Sequence, residues 1–228
     1  MAKQNDVWLL TIILTILAGY CDTITFVAAD RIFSAHVTGN FIVFAYQIIS
    51  DPERDVWVKL MTFPIFMVAV MTGGWISKHF LNKHLLLFFE GIILLLAGLS
   101  SIVLPLLLQV ESNWPIYLVT MIVVFAMGLQ NAFGRIFSQE TFGPTTVMTG
   151  NVTQFALDVR SYFVTHEVGS DALLGIKRGL LILGGFLLGC LAGAVSGKLI
   201  GLAGVLFPAI ALIICYIFSS QRDNIDSR

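Results

Sequence analysis

Apolar residues run through this chain in long unbroken blocks. Leu60 to Ser77, Gly91 to Val110, Ser112 to Gly134, Leu180 to Gly197 and Leu199 to Ser220 each approach or exceed the ~18 residues read as a membrane-crossing helix. A first run, Val7 to Ala29, has the length but contains Asp22. Two shorter runs, near 37–50 and 147–159, are different in kind. At ~1.5 Å per residue, about fourteen residues cover ~21 Å of a ~30 Å hydrocarbon core, so neither crosses alone.

The order of these elements repeats. Thr38-Gly39-Asn40 opens the first short run and Thr149-Gly150-Asn151 the second. Each follows a long run carrying a Gly-x-x-Asp/Asn step, Gly19-Tyr20-Cys21-Asp22 against Gly128-Leu129-Gln130-Asn131. Ala69, Gly73, Ser77 and Lys78 likewise lie against Gly189, Gly193, Gly197 and Lys198. Asp22 precedes Asn40 by 18 residues and Asn131 precedes Asn151 by 20, which implies a two-residue insertion before the second tripeptide. The chain therefore reads as a duplication, with repeats over 1–110 and 111–228. Each repeat has a long helix, a motif-led short segment, a helix with a ladder of small residues and a last helix. In the first these fall near 7–29, 37–50, 58–79 and 85–108, and in the second near 114–134, 147–159, 176–198 and 200–220. Internal repeats of this kind build many transporter folds.

The expected fold is an all-α polytopic membrane bundle. If the short segments dip in and return, each half crosses three times and the halves are inverted, giving six crossings and two half-helices. If an extended stretch such as Arg31 to His36 completes the crossing, there are eight crossings in a parallel 4+4 repeat. With the N-terminus inside, six crossings put nine Lys and Arg in the cytoplasm and four outside, and eight crossings give eight and five. Lys78, His79, Lys83 and His84 crowd one loop while Gln109 to Asn113 has no basic residue, which favours six. Gly185, Gly189, Gly193, Gly197 and Gly201 recur every fourth residue and predict a helix face that another backbone approaches closely. Pro64, Pro105 and Pro208 are expected to kink or end helices.

Composition excludes a soluble globule: 57% of residues are hydrophobic and 12% charged, against about 25% charged in soluble domains. A net charge of −1 with scattered basic residues argues against nucleic-acid binding and against a polybasic lipid-binding tail. Cys21, Cys190 and Cys215 sit inside apolar runs without metal-ligand spacing and read as small buried hydrophobes. The first run, in which Leu17-Ala18-Gly19 is followed by Asp22, is read as a retained helix rather than a cleaved signal.

An ionised carboxylate at the centre of a membrane helix costs roughly 2.5–3.5 kcal/mol, so Asp22 demands a partner, a wet cavity or a proton. Its counterpart Asn131, beside Gln130, is neutral. In each tripeptide the Thr can cap free N–H groups, the Gly admits close approach, and the Asn offers donor and acceptor. Half-helix N-termini carry partial positive charge and face solutes in transporters. The expected solute site is therefore Asp22, Thr38, Gly39, Asn40, Gln130, Asn131, Thr149, Gly150 and Asn151, with the two helix starts facing one another near the midplane. The competing reading is that Asp22 only bonds a broken helix and the tripeptides are capped turns. Glu90 is expected to reach the headgroups from its helix end, and His36 to be a loop residue. Phosphate-cradling loops, His-Glu-x-x-His and nucleophile elbows are missing, so no enzyme, cofactor or metal site is expected.

Gly19-x-x-Asp22, Phe33 to Thr38-Gly39-Asn40 and the second Thr149-Gly150-Asn151 together resemble the YoaK-like family of bacterial integral membrane proteins, over nearly the whole chain. The resemblance implies about six membrane helices in the bacterial cytoplasmic membrane and a domain of unknown function, with no substrate to carry over. The function expected is secondary transport of a small polar or ionic solute, with a passive channel or a non-transporting scaffold as alternatives. The partners expected are the lipid bilayer and that solute, with a homo-oligomer left open.

Overall fold

The computed structural model describes residues 2–50, 55–80, 82–108, 113–146, 149–164 and 170–226. Parts of the polar stretches 51–59 and 165–171, the loop 109–112, Val147, Met148, Arg54 and Arg228 lie outside the described residues. The described elements are α1 (Ala2–Ala28), α2 (Gly39–Ser50), α3 (Val58–His79), α4 (Leu85–Leu108), α5 (Trp114–Ile136), α6 (Thr149–Val164), α7 (Ser170–Ile200), a 3-10 turn (Gly201–Val205) and α8 (Leu206–Asp226). Each agrees in kind with a predicted segment.

Five apolar helical stretches are long enough to cross a bilayer, and the last, 171–219, is 49 residues long. At ~1.5 Å per residue that is ~74 Å, more than two core thicknesses. The chain breaks it at Gly201, whose φ of +62° lies in the left-handed region that glycine adopts without strain. The 3-10 turn that follows is fixed by the Tyr20 hydroxyl, which donates to the Gly204 carbonyl at 2.9 Å and pairs with Ser196 Oγ. Six crossings result. Pro64 and Pro105 lie within α3 and α4, and Pro208 falls in the first turn of α8.

Helix directions decide between the two predicted topologies. The Trp8 and Phe142 rings meet at 4.6 Å, so the start of α1 lies beside the end of α5, and these two helices are antiparallel. Gly91 faces Ala209, Leu212 and Ile213 while Gly98 faces Leu206, so α4 and α8 are antiparallel as well. Corresponding helices of the two halves thus run in opposite directions. That is the inverted arrangement; a parallel 4+4 repeat would make both pairs parallel, and the eight-crossing alternative is corrected accordingly.

The first helix of each half packs on the third helix of the other. Along α7, Gly185, Gly189, Gly193 and Gly197 meet in turn Thr15, the Ile16 backbone, the Tyr20 backbone and Val27, so α1 and α7 lie parallel with almost no side-chain spacer. In the other pair, Gly128 of α5 meets Ala69 and the Phe66 carbonyl, and Gly73 of α3 meets Ala132. Gly19 faces the Phe186 carbonyl as Gly128 faces that of Phe66, at the positions the sequence alignment pairs. The ladder continues downward: Gly175 and Gly179 receive Asp158 and Phe155 of α6. Between these swapped pairs, Leu14, Ile24, Leu87, Leu94, Met127, Phe133 and Leu212 form a buried core.

Candidate functional site

The predicted site residues divide into two tethers, one per half, each tying a loop back to the long helix before it. In the first half Asp22 is almost completely buried. Its Oδ1 accepts the Ala35 N–H at 2.7 Å and the His36 N–H at 3.2 Å, and its Oδ2 lies 2.7 Å from His36 Nδ1. A carboxylate only accepts, so Nδ1 carries the proton. The His36 side chain is 33% exposed. Asp22 lies six residues before the end of α1, so the loop dips ~9 Å back into the bundle.

The second tether has the same form without charge. Asn131 Nδ2 donates to Thr146 Oγ1 at 2.7 Å, and Gln130 Nε2 donates to Thr145 Oγ1 at 2.9 Å and to the Leu14 carbonyl at 2.7 Å. Asp22 reaches 13 residues forward and Asn131 reaches 15, which is where the two-residue insertion falls. The Gly-x-x-Asp/Asn step and the tripeptide are thus two ends of one device. The glycine lets α1 or α5 seat against its partner, and the acid or amide three residues later holds the returning loop.

The tripeptides themselves are not equivalent. Asn40 is fully buried: its Oδ1 accepts the Phe33 N–H at 2.8 Å, and its Nδ2 donates to the Phe33 carbonyl and to Thr62 Oγ1. Thr38 is exposed and Gly39 half-buried against the Phe33 ring. Thr149 and Gly150 are exposed, and Asn151 is half-buried. The expectation that the two helix starts face one another is corrected: α2 packs on α3 and α6 on α7, and α2 and α6 do not touch among the described residues. The swapped packing is the cause, because it carries α3 and α7, with their attached short helices, to different flanks of the α1–α5 pair. Asp22 and the Leu14 carbonyl bonded by Gln130 are eight residues apart on α1, ~12 Å along its axis.

One open cavity does receive a tripeptide residue, Asn151. It has a volume of about 720 Å³ and lies between the start of α1, the end of α5, α6 and the start of α7. Asn151, Gln154, Asp158, Asp171 and Arg178 give it a polar wall, and Val7, Phe142 and Ile182 line its apolar part. The Arg178 guanidinium stands 4.7 Å from the Phe142 ring centroid, a cation–π contact. Size and mixed lining suit a small solute. Arg178, Ile182, Phe186 and Cys190 form one stripe at intervals of four on α7. Ile182 lines the cavity, the Phe186 ring meets the His36 ring edge-on at 5.5 Å, and Cys190 pairs with Thr23 beside Asp22. One helical turn separates the cavity from the Asp22–His36 pair.

Sequence reasoning missed a buried ion pair. Lys59, assigned by charge counting to the outer surface, is fully buried and its Nζ is 2.5 Å from Asp30 Oδ2. Gln47 also donates to Asp30, and Thr62 links Lys59 to Asn40. Asp30 and Arg31 have φ of 48° and 59°, a left-handed step uncommon outside glycine. Nothing in the local pattern distinguishes Lys59 from an exposed helix-start lysine. Glu90 is a second correction: it is fully buried, not at the headgroups, and neither carboxyl oxygen has a partner among the described residues. Cys21, Cys190 and Cys215 are free thiols, as expected.

Inverted apolar helices, short helices returned by buried tethers, and charged groups within the bundle define a multi-pass helical membrane protein. Residues 10–218 match the model of a family described as a protein of unknown function, DUF1275, and the chain belongs to that family. No curated protein and no solved structure matches it.

Proposed function

We propose that this protein is a secondary carrier of a small polar or ionic solute in the bacterial cytoplasmic membrane, descended from a duplicated, inverted unit. The observation that supports it most is the polar cavity between α1, α6 and α7. It opens at one end of the bundle and stops at Ile182, one turn before the Phe186–His36 contact. A carrier needs a pocket reached from one side and a barrier that exchanges for one on the other. Solute enters past Asn151, Gln154 and Arg178, and the Asp22–His36 pair is the charged end of its path. Asp22 here is a tether and counter-charge that keeps its own hydrogen bonds, and the binding wall comes from Asn151 and the polar residues of α6 and α7 beside it.

A second reading, a non-transporting scaffold, is favoured by one observation: Asp22, Asn40 and Asn131 all bond within the chain, as helix terminators would. A thermal-stability screen of the purified protein against small anions, cations and amino acids separates the two. A ligand at 100 times its Kd stabilises the folded state by about 2.7 kcal/mol. The carrier predicts a saturable shift, lost in Gln154→Ala/Arg178→Ala, and saturable uptake into proteoliposomes. The scaffold predicts no shift with any solute and an unchanged cellular phenotype for the same variant at normal membrane levels.

A further inference from the structure

Among the described residues, Glu90 combines complete burial with two unpartnered carboxyl oxygens. It sits in the second turn of α4, where its neighbours one turn away, Leu86 and Leu94, are buried, and where Gly91 lies against Ala209, Leu212 and Ile213 of α8. Around it stand the thiols of Cys21 on α1 and Cys215 on α8, Tyr216 of α8, whose ring packs on Phe88, and the buried His84 just before α4. On the other faces of α4, α5 carries Arg135 near its end and Tyr117 near its start, and the described part of the 3-10 turn carries no titratable side chain. α3, which touches α4 only slightly, has Lys59 committed to Asp30 and Lys78 and His79 at its last turn.

A carboxylate in such surroundings has lost its hydration and gained neither a cation nor a donor. Isolated buried charges of this kind are resolved by taking up a proton rather than by bearing the cost. Asp22 is the contrasting case, since two backbone N–H groups and an imidazole N–H donate to it. The two acids therefore divide the work: one accepts three hydrogen bonds and holds a loop, and the other has nothing to hold.

We propose that Glu90 is a proton-binding site, occupied as the neutral acid in this conformation and exchanged with water when the α4–α8 seam parts. The step is one proton transfer: the carboxyl O–H breaks heterolytically and the proton passes to water on one side, and water admitted from the opposite side returns a proton to the carboxylate before the seam closes. Resting on the carrier reading, this makes Glu90 the coupling group for solute movement.

Dicyclohexylcarbodiimide tests the protonation independently of transport. The reagent partitions into apolar regions and reacts with a protonated carboxyl, whose oxygen adds to the carbodiimide carbon while its proton goes to nitrogen. Treated in liposomes at neutral pH and mapped by peptide mass spectrometry, the protein is expected to carry the adduct on Glu90 and not on Asp22, and Glu90→Gln abolishes it. Labelling of Asp22 with Glu90 untouched in folded protein overturns the proposal. In the second arm, solute uptake by the wild type rises several-fold with an imposed inward proton gradient, and Glu90→Gln and Glu90→Leu lose that dependence while retaining solute binding. A gradient response unchanged in both variants overturns the coupling role even if Glu90 is labelled. Failure of the wild type to take up any solute overturns the carrier reading and the coupling with it, while the labelling result still decides the protonation state.

Discussion

Replacing Asp22 by alanine removes the acceptor of two loop amides. The Ala35 N–H, at 2.7 Å, is buried, and the His36 N–H, at 3.2 Å, is held more weakly beside a side chain that is one-third exposed. Leaving a buried donor without its acceptor costs about 1–3 kcal/mol. Counting Ala35 fully and His36 in part, because water reaches the latter, Asp22→Ala loses roughly 2–4 kcal/mol. On the scale of 150–250-residue domains, where each kcal/mol shifts Tm by about 2–4 °C, the melting temperature falls by roughly 4–16 °C. Asp22→Asn keeps an oxygen in place for both amides, so its loss stays below about 1 kcal/mol. Thermal unfolding of detergent-purified protein, followed by loss of the monodisperse species, measures both. Equal destabilisation by the two variants would show that charge, and not the acceptor geometry, holds the loop. An Asp22→Ala melting point within a degree or two of wild type would remove the tether altogether.

Two further predictions probe the scaffold around it. Gly189→Ala places a methyl on the Ile16 backbone, which cannot yield, and should cost about 1–3 kcal/mol as an overpacked contact, whereas Gly184→Ala on the same helix meets open space and should gain up to ~1 kcal/mol in helix propensity. Opposite signs in melting temperature are expected, and a matched change would mean α1 does not lie on that face. Asp30→Ala should destabilise more than Lys59→Met, because Lys59 is fully buried and Asp30 is partly hydrated. A double-mutant cycle should show positive coupling, and additivity would contradict the pairing.

The sequence carried the helices well because each is written in residues with one physical meaning. Uninterrupted apolar runs ended at polar loops, and glycines every fourth residue announced a close helix contact at Gly185, Gly189, Gly193 and Gly197, whereas Gly201, read as a fifth rung, meets nothing and instead breaks α7 from α8. What that contact received could not be read: the ladder describes one surface, and the partner α1 offers backbone, which every residue shares. The same blindness hid the tethers. Asp22 and Asn131 were recognisable as polar residues inside apolar helices, but Asp22 bonds the main-chain amides of Ala35 and His36, and no side-chain pattern records an amide. The two tripeptides looked alike because their residues are identical, and the structure separates them by context: Asn40 finds Phe33 and Thr62, while Asn151 lines a cavity. Lys59 and Glu90 escaped for a related reason. Each lies within two turns of a helix start, where a charged residue ordinarily reaches water, and only the packing of neighbouring helices shuts it in.

The account stands on Phe186 being the partition between the cavity and the Asp22–His36 pair. With Cys21, Cys190 and Cys215 replaced by alanine, a cysteine at position 186 can be probed by membrane-impermeant thiol reagents from each side of sealed vesicles. Alternating access predicts reaction from the cavity side without solute, and growing reaction from the opposite side, with matching protection on the first, as solute or a proton gradient is applied. Reaction from one side alone under every condition, or none from either, would contradict it.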